Sequence, residues 1–260
     1  MSTTRAPCPV CDRGPKDTAL AITEDERGTV SFCHRCGFTQ AENFERRPLE
    51  PVRPMTPKAE PLAWSDRAES IWRRTQPLRD TVGETYLLHR GCLLPPADSD
   101  LRFLEPTDRH PPSLCARITD AATNKPLSLH LTALKPDGSG RGERHLLGGH
   151  RKKGGVIRLW PEEAVTIALA LAEGVESALA AAHVFTPIWA TVDAGNMTGF
   201  PVLAGIEALT IFADHDEAGI KAARECAARW RDAGREVRVL RARTAGADLA
   251  DLTKQLEAAP

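Results

Sequence analysis

The chain has 260 residues, of which 42% are hydrophobic and 27% charged, with 20 prolines and a formal net charge of −1. So balanced a charge excludes binding a polyanion through bulk electrostatics; a nucleic-acid partner would have to be held by a local basic patch. The longest apolar run, around residues 165–172, is too short to cross a bilayer, and residues 1–7 lack the apolar stretch of a signal peptide. A cytoplasmic, reducing setting with no membrane partner is the expectation, in which cysteines read as metal ligands or free thiols.

Four of the seven cysteines form two Cys-x-x-Cys pairs, Cys8/Cys11 and Cys33/Cys36, with 21 residues between them. Two residues between cysteines let both sulfurs face one ion, and each pair is followed by a turn-forming glycine, Gly14 and Gly37. Residues 1–45 are therefore predicted to form a zinc ribbon, with His34 outside the ligand set. Cys92, Cys115 and Cys226 are expected to pack as small hydrophobes. In residues 46–62, Pro48, Pro51, Pro54 and Pro57 recur every third residue. That is the period of a polyproline II helix, and it predicts a semi-rigid spacer of roughly 50 Å.

Residues 63–160 read as an α+β unit. Trp64, Ala68, Ile71 and Trp72 share a helical face after a Ser65-Asp66 cap, and a second helix runs from about Leu78 to a stop at Gly91. Strands are predicted at 114–118, 127–134 and 156–160, with a turn at 136–140. Arg141, Arg144, His145, His150, Arg151, Lys152, Lys153 and Arg158 crowd one glycine-rich stretch with only Glu143 opposing. We read it as a flexible segment suited to the phosphates of a template or nucleotide, with Arg144, Arg151, Lys152, Lys153 and Arg158 as contacts. Arg35, on the ribbon, is a further candidate contact to a single strand.

Residues 161–260 alternate strand and helix. Strands are predicted at 165–172, 187–192, 208–213 and 237–240, and helices at 175–183 and 217–233, which implies a mostly parallel sheet with helices on both faces. Two strands end in carboxylates: Leu169-Ala170-Leu171-Ala172-Glu173-Gly174 and Thr210-Ile211-Phe212-Ala213-Asp214-His215-Asp216. Parallel sheets place ligands at the carboxyl ends of their strands. Alone, Asp214 or Asp216 would read as a helix N-cap. A Glu-Gly and an Asp-x-Asp ending separate strands instead point to a divalent cation, Mg²⁺ or Mn²⁺, and to phosphoryl transfer. Glu173, Asp214 and Asp216 are the expected catalytic residues. Asp193 and Asn196, at another strand end, are candidate accessory groups, and His215 is expected to fill space.

Glu173-Gly174 with Asp214-His215-Asp216 resembles the Toprim domain, the module shared by bacterial-type primases, topoisomerases and some nucleases. A zinc ribbon ahead of it narrows the resemblance to DNA primases of the phage and plasmid type. Arg144-His145-Leu146-Leu147-Gly148-Gly149 and Gly154-Gly155-Val156-Ile157-Arg158-Leu159 add to the likeness. The resemblance implies a Rossmann-like α/β fold for the last hundred residues, structural zinc, and catalytic magnesium on Glu173, Asp214 and Asp216. It further implies a late acidic ligand at Asp248, where an Ala precedes in place of the usual Lys, and an acid near Glu176. Primer synthesis from nucleoside triphosphates on single-stranded DNA would be the activity. No Gly-x-x-x-x-Gly-Lys-Ser/Thr motif occurs, so a separate replicative helicase is expected as partner.

Two rival readings use the same residues. A Toprim nuclease would let water attack at the same acids, and a non-catalytic DNA-binding adaptor would use only the ribbon and the basic stretch. A topoisomerase is disfavoured because the single tyrosine, Tyr86, sits in an amphipathic helix beside Leu87 and Leu88, as a core aromatic would.

Overall fold

A computed structural model describes residues 2–11, 13–26, 28–42 and 64–241. The spacer predicted at 46–62 and the candidate ligand Asp248 lie outside the described residues. Two compact units divide the chain, Met1–Ala59 and Glu60–Pro260.

The first unit is an antiparallel meander of β1 (Ser2–Ala6), β2 (Leu20–Asp25), β3 (Gly28–Cys33) and β4 (Thr39–Glu42), paired in that order. Among the described residues its buried core amounts to Cys8, Leu20 and Cys33 with a few half-buried neighbours. So little apolar area cannot hold a small domain together, and a cross-link through the cysteines is the natural remedy.

In the second unit, α1 (Asp66–Arg73) is capped by Ser65, whose Oγ accepts from the Ala68 N–H. Then come β5 (Thr75–Gln76), α2 (Val82–His89), β6 (Leu101–Leu104), β7 (Ser113–Asp120), β8 (Pro126–Leu134), β9 (Arg141–Leu146) and β10 (Gly155–Arg158). The chain continues through β11 (Ala168–Ala172), α3 (Val175–Ala181), β12 (Ile188–Ala190), α4 (Ala194–Gly199), β13 (Ala208–Ala213), α5 (Glu217–Asp232) and β14 (Glu236–Arg241). One sheet runs through all ten strands from β5 to β14. Its parallel half is β14-β13-β11-β12; antiparallel pairing through β10 joins this to β7, which carries β6 and β5 on one side and β8 and β9 on the other.

Alternation along β11 sends its side chains into two cores. Ala170 and Ala172 pack with Ala178 and Leu179 of α3, whereas Leu169 and Leu171 pack with Ala223, Cys226 and Trp230 of α5. Helices therefore cover both faces of the parallel half, as strand–helix alternation requires. The glycine-rich stretch differs from expectation. Residues 141–146 form an edge strand, because β8 offers an open hydrogen-bonding edge that a loop would leave unpaired. Helix α4 was hidden in a short Gly- and Asn-containing segment; an N-cap by Asp193, whose Oδ1 accepts from the Asn196 N–H at 2.8 Å, starts it.

Candidate functional site

In the ribbon, Cys8, Cys11, Cys33 and Cys36 come together with their sulfurs all within 4.8 Å of one another. Cys8 Sγ to Cys36 Sγ is 3.7 Å and Cys11 Sγ to Cys33 Sγ 3.8 Å. Four sulfurs at about 2.3 Å from one zinc would stand about 3.8 Å apart, so these distances suit a tetrahedral zinc site. Backbone N–H groups of Cys36, and then of Arg35, draw the Cys33 thiol below its ordinary pKa, while the Cys36 side chain and then burial push the neighbouring Cys11 thiol up. Arg35 itself is fork-paired to Asp17, its two terminal nitrogens 2.9 and 3.0 Å from the carboxylate oxygens.

The second unit holds a cleft of about 490 Å³ at the carboxyl ends of the parallel strands. One wall is acidic. Residue Ala172 at the end of β11 is in register with Phe212 of β13, so Glu173 and Asp214 follow the ends of neighbouring strands, which run roughly 5 Å apart. Both are half-buried and Asp216 is exposed at the rim. Burial first, and then the charges of Asp214, Asp216 and Asp193, push the Glu173 carboxyl above its ordinary pKa. That mutual repulsion is the electrostatic signature of carboxylates gathered in one place. The Ser177 hydroxyl donates to Asp214 Oδ1 at 3.4 Å. Asp216 does cap α5, accepting from the Gly219 N–H at 2.7 Å through Oδ1. A carboxylate has about four lone-pair sites, so capping leaves room for a second role.

The opposite wall carries Arg90, Arg141 and Arg144, with His130 among them. Strand β9 carries an extra residue against β8: Thr132 is opposite Arg144 but Leu134 is opposite Arg141. Three steps on one strand against two on the other put Arg141 and Arg144 on the same face, which regular pleating would forbid. Between the walls stands Glu176, 8% exposed, on the first turn of α3. The Tyr86 hydroxyl donates to its Oε1 at 3.1 Å; Arg141 Nε lies 3.5 Å and an Arg144 terminal nitrogen 4.0 Å from its oxygens. Burial and the Glu176 charge raise the Tyr86 pKa, so its hydroxyl remains a donor. Burial likewise holds His130 below its ordinary pKa, against the pull of Glu176, which favours neutral imidazole.

Other sequence-chosen residues fall elsewhere. Arg158 is a correction: it is 3% exposed and lies outside the cleft lining. Its guanidinium stacks over the Trp189 ring at 4.4 Å and donates to Thr119 Oγ1 and to the carbonyls of Asp120 and Ala121. Its strand, β10, is buried from end to end, so the charge turns inward to orphaned carbonyls. Arg151 pairs with Asp120 and Lys152 with Asp193, each at 2.8 Å, and Lys153 is exposed; none of the three lines the cleft. Asn196 staples the loop before β10, accepting from Gly154 N–H and donating to the Lys152 and Gly155 carbonyls. Arg90 and His130 were missed. For His130 a signal existed: in Leu127-Ser128-Leu129-His130-Leu131-Thr132 the alternation places it on the polar face.

Residues 168–258 match the family model of the Toprim domain, and residues 62–159 match one described as a domain of unknown function, DUF7146. The C-terminal part of the chain is a Toprim domain. No curated protein matches the chain. Among solved structures, it is similar to the primase fragment of the bacteriophage T7 primase-helicase protein, at 16% identity and a TM-score of 0.46, covering 98% of this chain and 95% of that one. The Aquifex aeolicus primase, comprising zinc-binding and RNA polymerase domains, aligns at 14% identity and 0.46 over 98% and 76%. A DNA primase domain from Pseudomonas aeruginosa aligns at 17% and 0.39; the match covers 70% of this chain and spans 59% of that one. No helix among the described residues is long and apolar enough to cross a membrane.

Proposed function

We propose that this chain is a primase-like nucleotidyltransferase that builds short RNA primers on single-stranded DNA from nucleoside triphosphates. One observation carries the reading: a single cleft sets Glu173, Asp214 and Asp216 on one wall and three arginines on the other. Among the described residues the four cysteines are the tight donor cluster, and the cleft carboxylates are spread more openly. Open, hard oxygen donors fit Mg²⁺ or Mn²⁺ better than zinc. Bound there, a pair of such ions would stabilise charge on the attacking and departing oxygens.

The remaining work falls to the chain's own groups. Asp214 and Asp216 supply fixed negative charge at the β13 end, and Ser177 restrains Asp214. Glu173, with its raised proton affinity, is the group suited to accept the proton of an attacking hydroxyl. Arg141 and Arg144 present planar N–H forks to a triphosphate, with Arg90 beside them. Neutral His130 adds a hydrogen-bonding group without a second charge. Asp248 belongs to the same proposal as a further carboxylate, and the ribbon, holding zinc on Cys8, Cys11, Cys33 and Cys36, as a contact to template. Lys153 at the loop before β10 is a peripheral phosphate contact in this reading, and a replicative helicase is the partner it entails.

Primer synthesis is tested by incubating the protein with single-stranded template, Mg²⁺ and labelled ribonucleotides. Short ribo-oligomers are expected, falling at least about 100-fold in Asp214→Ala. Shortening of the template with no new product would instead identify a nuclease. Template binding that Asp214→Ala leaves intact, with neither product, would identify an adaptor.

A further inference from the structure

The β8–β9 pair has a second face. Thr132 and Arg144 are paired toward the acidic cleft, so the next pair, Leu131 and His145, points to the other side. There it lines a separate cavity of about 160 Å³. The floor is apolar, with Ile71, Leu131 and Leu147, and the rim carries Arg67 and Arg74 of the α1 segment together with His145. No acidic side chain lines it among the described residues. Arg67 and Arg74 are exposed, and neither has an ion-pair partner among them, although Arg73 on the same helix is paired to Glu69.

A ligand that satisfies both parts must be flat and apolar at one end and anionic at the other. The volume is well below the roughly 300–1,000 Å³ of a whole-ligand pocket; it suits one nucleobase. Paired guanidiniums are the preferred partners of a phosphate, and an imidazole can stack on a base. We infer that this cavity seats a single nucleotide unit, its base over Leu131 and Leu147 and its phosphate on Arg67 and Arg74. The unit is either a free mononucleotide or one link of a single strand. This inference does not depend on the cleft's polymerising anything, since the two sites lie on opposite faces of the strand pair.

The test is fluorescence anisotropy of a labelled oligo-dT with the full chain, without Mg²⁺, at several salt concentrations. Arg67→Ala/Arg74→Ala removes surface charge, with little expected effect on folding. It should weaken binding about tenfold and flatten the salt dependence by roughly 0.7 per lost phosphate contact. Ala133→Phe, which fills the cavity, should weaken binding without changing that slope. Displacement of the oligomer by millimolar dTMP assigns the seat to free nucleotides; weakened oligomer binding that dTMP does not compete with assigns it to a strand. Binding of both probes at the wild-type level in the Arg67/Arg74 variant overturns the inference, even should Ala133→Phe fail to fold. The assay contains no Mg²⁺ and reads binding alone, so failure here is distinguishable from failure of the catalytic reading, which the primer assay tests.

Discussion

Gly219 is the position where two physical effects pull in opposite directions. It lies in the first turn of α5, and a Cβ added there would stand 2.9 Å from the Asp214 carbonyl oxygen, 3.2 Å from Asp216 Oδ1 and 3.3 Å from Asp214 Cβ. Helix propensity alone says that Gly219→Ala stabilises by about 0.5–1 kcal/mol. Relieving the contact with a carbonyl requires the β13 end to retreat by about 0.5 Å, and overpacking of this kind costs about 1–3 kcal/mol. The steric effect wins, because the nearest atom is backbone and cannot rotate away. We expect a net loss of about 1 kcal/mol, or a Tm lower by about 2–4 °C. Under the proposed function, the effect on primer synthesis should be larger. A 1 Å misplacement of a reacting geometry can lose about 100-fold, so half that shift at Asp214 and Asp216 predicts about a tenfold fall in primer synthesis. Thermal melting by circular dichroism and the primer assay read the two effects separately. A variant that melts higher than wild type and synthesises at the full rate would refute the argument that close approach of α5 sets the acidic wall.

Glu173→Gln tests the repulsion among the acids through pH. A folded-state carboxyl pKa raised above its unfolded value contributes stability that is present at low pH and lost as pH rises through the folded pKa. Metal-free wild type should therefore be the less stable of the two at pH 7–8, the gap closing as pH falls toward about 4, and Mg²⁺ should raise the Tm of wild type more than that of the variant. Equal melting at every pH would mean that Glu173 does not feel Asp214 and Asp216. Arg158→Ala separates structure from binding. It leaves two carbonyls and Thr119 without their donor and empties the face of Trp189, so a loss of about 3 kcal/mol and a Tm drop of about 6–12 °C are expected. A variant with unchanged melting and weakened nucleotide binding would restore Arg158 to the phosphate contacts.

The strand ends were legible because an apolar run that stops at a carboxylate is a local pattern, and β13 falls at 208–213, where the pattern placed it. The four-cysteine cluster was legible for the same reason: spacing within each pair fixes geometry within one turn. The three leftover cysteines are buried, as small hydrophobes should be, and Tyr86 is a buried aromatic. What escaped was decided by partners distant in sequence. Arg158 looks like its basic neighbours until β10 is inserted between β7 and β12, which buries it. Arg141 and Arg144 face one way only because of a bulge that pairing with β8 creates, and no local periodicity records a bulge. Helix α4 is six residues long, too short for a helical stripe, and starts at a cap, Asp193, that also read as a candidate accessory group.

Glu176 resolves a problem that the cleft's composition creates. Arginines facing a wall of carboxylates would be drawn across to it and would occupy the places that the proposed Mg²⁺ ions would take. A third acid on the first turn of α3 prevents this: three residues beyond Glu173, it is turned toward β9 and held there by Tyr86. Its distances to Arg141 and Arg144, 3.5 and 4.0 Å, are long beside the 2.8 Å of the Arg151–Asp120 pair. Electrostatic tethering at that range keeps both guanidiniums on their own wall while leaving most of their N–H donors uncommitted. Under the proposed function, an incoming phosphate would take those donors without first breaking a short, bidentate bridge. The same buried carboxylate therefore separates the two walls and, under the proposed function, leaves the cationic one ready to receive an anion.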